Sequence, residues 1–127
     1  MKIVRFTKEI KIEECGFEGI IRKLSAGDHL EVQSAAFKIK DNVDMTKIKE
    51  ENMGSAVITD TGAMRLIKVQ KSIVKWNVEA EDSTPENPKI LDINLENIKA
   101  LDIDVFNALE REVNDLNKTP SKTEIKN

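Results

Sequence analysis

The sequence predicts an α+β fold: an N-terminal β-hairpin, a mainly α-helical remainder and a disordered C-terminal tail. Three observations carry this. The first dozen residues alternate apolar and polar positions, the period of a strand buried on one face. Residues 63–75 and 104–116 repeat apolar positions every three or four residues, the period of an amphipathic helix. From Lys118 the chain turns to Lys, Thr, Pro and Ser, which build no core. At 127 residues the chain has the size of one ordinary domain. That domain is placed at 1–117 and the tail at 118–127.

In the first strand Val4, Phe6, Ile10 and Ile12 share one parity. Glu13-Glu14-Cys15-Gly16 breaks the alternation, and Gly16 suits a turn. Phe17 to Leu24 is rich in β-formers and reads as the return strand, with Gly19 marking a bulge. Ser25-Ala26-Gly27-Asp28 then reads as a helix start, with Ser25 as N-cap and Asp28 at the third helical position. The helix is expected over 26–38, with Ala26, Leu30, Ser34 and Phe37 on one face.

Residues 39–62 are mostly polar and are expected to form a mobile connection, with one helical turn around 46–52. Val57-Ile58-Thr59 fits a short strand or part of a helix. A helix starts after Thr61-Gly62 and runs to about Lys75. Its apolar face uses Ala63, Leu66, Ile67, Ile73 and Val74, while Gln70 and Asn77 miss the pattern. Ile73, Val74 and Val78 around Trp76 also suit a strand, which leaves the end of this helix open. Pro85 and Pro88 make 79–88 a loop, after which Ile90 to Ile93 extends briefly. Asn94 to Leu101 forms one short helix with Leu95, Ile98 and Leu101 inward. Asp102 or Asp104 caps the last helix, whose inward stripe is Val105, Phe106, Leu109, Val113 and Leu116.

Composition excludes several functions. Apolar residues make up 39% and charged residues 34%, which describes a thin core under a large solvated surface. No stretch approaches the ~20 apolar residues of a membrane span, and the first residues lack the apolar run of a signal peptide. The expected location is cytoplasmic, without membrane contact. The lone Cys15 excludes an internal disulfide and a Cys-pair zinc site. Net charge is −3, which disfavours nucleic acid, and no basic stripe with interleaved aromatics appears.

The charge is uneven. Residues 1–78 carry a net +3, residues 79–104 a net −6, and residues 118–127 a net +2. The acidic block reads either as a solvated linker and helix start or as a docking surface for a basic partner.

Catalysis finds little support. Asp28-His29 is the single acid–base neighbour pair, and adjacent helical residues point about 100° apart. His29 with Asp28 or Glu31 supplies too few ligands for a metal. The acidic setting of Cys15 disfavours a reactive thiolate. The glycines at 16, 19, 27, 54 and 62 make no phosphate-cradling loop. No enzymatic activity and no cofactor are therefore expected. Trp76 is the single large aromatic anchor. It reads as core or, exposed, as a binding hot spot. The stripe of the last helix is core by default and a helix-in-groove surface if exposed.

The second half resembles a family. Ile73-Val74-Lys75-Trp76-Asn77-Val78-Glu79-Ala80-Glu81-Asp82 resembles the tail assembly chaperones of long-tailed bacteriophages and prophages, in which an apolar helix ends in Trp-Asn before an acidic turn and a Pro-containing loop. Leu95-Glu96-Asn97-Ile98-Lys99-Ala100-Leu101 and the helix from Asp104-Val105-Phe106 continue the likeness, as does Arg22 to Asp28 leading into a helix. The likeness covers about 17–37 and 63–116. Glu81-Asp82-Ser83-Thr84 departs from it where the family often has Gly. The resemblance implies a non-enzymatic factor that binds the tape-measure protein and promotes assembly of the tail-tube protein around it; weak self-association is a separate expectation. On that reading Trp76, Phe106 and Leu109 are apolar partner contacts, and Glu79, Glu81 and Asp82 form their charged rim. The alternative is a virion structural protein, such as a head–tail joining or tail-completion protein. A small adaptor using the acidic block on a basic partner is a further rival.

Overall fold

The structure, a computed structural model, describes residues 2, 5–39, 57–59 and 61–118. Strands β1 (Thr7–Ile12) and β2 (Phe17–Arg22) form an antiparallel hairpin in which Ile12 faces Phe17 and Ile10 faces Gly19. Gly16 closes the turn with φ at +77°, a left-handed conformation that glycine adopts without a Cβ penalty. Its N–H donates to the Ile12 carbonyl at 2.9 Å.

Helix α1 (Ala26–Ala35) starts as the sequence predicts. The Ser25 hydroxyl accepts from the Asp28 N–H at 3.1 Å, and the Asp28 carboxylate accepts from the Ser25 N–H at 3.0 Å. This reciprocal box satisfies two donors that would otherwise lack partners at the helix start. The helix ends earlier than 38, and its inward face is different. Val32 and Ala36 are buried, whereas Leu30 is 64% exposed. Phe37 belongs to β3 (Phe37–Ile39), which pairs antiparallel with β4 (Val57–Thr59). The ends of the expected mobile connection are therefore paired strands, and Val57-Ile58-Thr59 is a strand. The helical turn at 46–52 and residues 119–127 of the tail expected at 118–127 lie outside the described residues, and Lys118 is the last residue of the final helix.

Helix α2 (Thr61–Ser72) stops short of the expected Lys75. The chain passes directly into β5 (Ile73–Trp76), which joins β2 and completes a three-stranded sheet in the order β1-β2-β5. β-Branched residues prefer the pleated surface over a last helical turn, and the Ile73-Val74 pair takes that option here. The bulge expected at Gly19 lies instead on β5, opposite the step from Ile20 to Ile21. Gly19 pairs with Trp76 and Ile20 with Lys75, but Ile21 pairs with Ile73, so Val74 is the extra residue. Gly19 allows the close approach: a Cβ there would sit 2.5 Å from the Lys75 carbonyl oxygen.

Helices α3 (Leu95–Lys99) and α4 (Ile103–Lys118) complete the fold. Asn94 caps α3 by accepting from the Asn97 N–H at 2.9 Å. α4 packs on β1 and β2, and α2 packs on α1, α3 and α4. One face of the sheet meets α2, α3 and α4 around Ile10, Phe17, Ile21, Val69, Ile73, Trp76, Ile98, Phe106, Leu109, Val113 and Leu116. The fold is α+β, and the inward stripe of α4 is as the sequence predicts. No helix among the described residues is long and apolar enough to cross a membrane.

Candidate interaction surface

The Trp76-Asn77 pair is where three segments meet. Trp76 is buried in the core cluster. Its indole Nε1–H would be costly to bury without a partner, and it donates to the Leu91 carbonyl at 2.7 Å. Asn77 turns the other way. Its Oδ1 accepts from the Glu18 N–H at 2.8 Å, its Nδ2 donates to the Gly16 carbonyl at 3.0 Å, and its own N–H donates to the Glu18 carbonyl at 3.0 Å. One dipeptide thus holds the 79–91 segment with its first residue and the β1–β2 turn with its second.

Residues 78–91 form a second, smaller hairpin. Leu91 N–H donates to the Val78 carbonyl at 2.8 Å and Ala80 N–H to the Lys89 carbonyl at 2.9 Å, around a Glu79–Ile90 bridge. The sequence predicts a loop here with a short extension after it. The cross-pairing leaves no sequence signal because its two sides carry few β-formers. Inside the turn, Ser83 Oγ donates to the Glu79 carboxylate at 2.8 Å and accepts from the Lys89 N–H at 2.9 Å, and Lys89 pairs with Asp82. Glu79, Glu81 and Asp82 are exposed on this hairpin, at the positions expected to form a charged rim.

The apolar contacts expected beside that rim are placed differently. Trp76, Phe106 and Leu109 are 4%, 7% and 0% exposed and belong to one cluster inside the domain. The sheet and the helices cover most of each of these side chains, and Phe106 keeps an edge on the groove beside the start of α2. Among the described residues the large apolar side chains left exposed are Leu30, Val74, Ile90 and Ile103.

Ile103 borders a groove of about 370 Å³ between the start of α2 and the α3–α4 corner, with Arg65, Leu66, Ile98, Leu101 and Phe106. Arg65 guards its side. Its guanidinium makes a two-pronged pair with Glu110 at 2.9 and 2.8 Å, reaches Asn107 Oδ1 at 3.2 Å, and lies 5.3 Å from the centre of the Phe106 ring. The Arg65 hydrogen bonds hold the Glu110 carboxyl below its usual range against the opposing effect of burial, and the same pair raises Arg65. Asp28 is also lowered, chiefly by the Ser25 backbone N–H. Neither Arg65 nor Glu110 carries a local sequence signal, since 45 residues separate them.

His29 is exposed on α1 and Cys15 is exposed at the β1–β2 turn. Among the described residues no three His, Cys, Asp or Glu side chains converge as a metal site would require. Comparison with protein-family models, curated proteins and solved structures finds no match to this chain.

Proposed function

We propose that this chain is a non-enzymatic assembly factor of long-tailed phages or prophages. In the host cytoplasm it binds the tape-measure protein and promotes assembly of the tail tube around it. The observation that supports this reading is the Trp76-Asn77 junction: the residues that carry the family resemblance also tie its two stretches, 17–37 and 63–116, into one body. The contact surface then consists of the acidic hairpin with Glu79, Glu81 and Asp82, together with the exposed apolar side chains Ile90 and Ile103. Such a surface suits a helical segment with one apolar face and basic flanks, held reversibly because its charges stay solvated.

Co-expression with a tape-measure segment tests the reading. A soluble complex is expected with the unaltered chain, and Glu81→Lys with Asp82→Lys should weaken it while leaving the fold intact. No complex, with the chain instead retained in purified particles, would favour the head–tail joining alternative.

A further inference from the structure

The hydrogen-bond pattern of the sheet shows which way the β1 backbone points. Lys23 N–H donates to the Phe6 carbonyl at 2.8 Å, and Asn77 N–H donates to the Glu18 carbonyl at 3.0 Å. In an antiparallel ladder bonded pairs alternate along each strand. The odd residues of β2 therefore bond to β1, and its even residues to β5. On β1 this leaves Lys8, Ile10 and Ile12 bonded inward, with the N–H and C=O of Thr7, Glu9 and Lys11 directed outward. Among the described residues no strand pairs with that side of β1. Thr7, Glu9 and Lys11 are exposed, as are the side chains of the neighbouring Lys8 and Glu18.

We propose that this free edge pairs with itself, joining two copies of the chain through an antiparallel β1–β1 ladder with Ile10 on the two-fold axis. The charge pattern selects the register. Only odd residues face outward, so odd must pair with odd. With Ile10 opposite the partner's Ile10, Glu9 lies opposite the partner's Lys11, and Lys11 opposite the partner's Glu9. Both are bonded pairs with opposite charges on the same face of the sheet, the favourable cross-strand arrangement. Sliding the partner by two residues in one direction puts Glu9 against Glu9. Sliding it in the other direction puts Lys11 against Lys11 and Glu9 against Glu13. Charged edge strands usually discourage pairing, and here the same charges discourage both neighbouring registers while favouring the self-complementary one.

The consequence is a continuous six-stranded sheet. Because the axis is normal to the sheet, both copies of α4 lie on the same side of it. Lys11 already meets Glu18 at 3.3 Å within its own chain, so the partner's Glu9 would extend an existing ion pair into a small network. This pairing does not depend on any phage role.

Analytical ultracentrifugation over a range of concentrations tests the proposal. The mass is expected to rise from 14.3 kDa toward about twice that value, with weaker association at high salt. Glu9→Lys alone and Lys11→Glu alone should each weaken association on the order of tenfold, because like charges then face each other. Mixing the two variants should restore it, since the lysine introduced in one chain would face the glutamate introduced in the other. Glu9→Pro, at a position whose N–H bonds nothing within the sheet, should abolish pairing and leave the circular-dichroism spectrum unchanged. A mass fixed at one chain at all concentrations would overturn the proposal. So would a dimer indifferent to Glu9→Pro, or a mixture of the charge variants that associates no better than either alone.

Discussion

Ile73 and Trp76 stand three residues apart on one strand, and both side chains enter the core. A regular strand sends positions of opposite parity to opposite faces. The extra residue at Val74, between the Ile21–Ile73 and Ile20–Lys75 pairs, resolves the conflict by bringing both inward. Val74 and Lys75 remain exposed as a result. The inward pair closes the sheet against the helices, and the tryptophan reaches far enough to hold the second hairpin.

Trp76→Ala should remove a large buried ring and cost about 3–5 kcal/mol. Trp76→Phe keeps most of the volume but leaves the Leu91 carbonyl without its 2.7 Å donor. That loss should cost about 1–2 kcal/mol. Urea unfolding followed by circular dichroism separates the two, and an unchanged midpoint for Trp76→Ala would exclude the core role.

Gly19→Ala introduces a Cβ 2.5 Å from the Lys75 carbonyl oxygen, which is backbone and cannot rotate aside. The β2–β5 pairing must shift, at a cost of about 1–3 kcal/mol. Hydrogen exchange should show faster exchange along β5 than along β1, since β1 pairs with β2 on the far side.

Asn77→Ala leaves the Gly16 carbonyl and the Glu18 N–H without their side-chain partner. The expected loss is about 1–2 kcal/mol, with selective loss of exchange protection at the β1–β2 turn. Asn77→Asp keeps the acceptor for Glu18 and loses only the donor to Gly16, so it should fall between.

The Arg65–Glu110 pair predicts a pH dependence. Glu110 is lowered in the folded state. Its contribution is therefore fully present above the ordinary glutamate pKa, about 4.3. It disappears as the pH falls through the lower folded value. Glu110→Gln should be less stable than the parent near neutral pH, and the gap should narrow on acidification below pH ~4. A gap that widens on acidification would contradict the pairing. Arg65→Lys should recover only part of the stability, since an ammonium cannot make the two-pronged contact.

The legible parts of the fold are those with a local signature. Ser25 and Asp28 announce the start of α1 because a capping box lies within four residues. The α4 stripe repeats over a whole helix, so chance mismatches average out. What stays hidden depends on distant partners. Ile73, Val74 and Val78 around Trp76 suit a strand as well as a last helical turn, and the β2 edge, distant in sequence, decides for the strand. Leu30 fits a helical face on paper, yet α1 buries Val32 instead, a choice that its packing against α2 makes. The exposure of Glu79, Glu81 and Asp82 is readable because charge resists burial locally. Trp76, Phe106 and Leu109 read as core by default and as contacts only through the family resemblance, because apolar character alone does not separate the two.

The chain has one tryptophan and no tyrosine, and that tryptophan is sealed against the Leu91 carbonyl. Its ultraviolet emission therefore reports a single place, the closure of the second hairpin over the core. A ligand that docks on the closed surface should leave the emission blue and shielded from quenchers. One that pries the hairpin loose should turn it red and quenchable, so the unlabelled protein carries its own optical gauge of how a partner engages it.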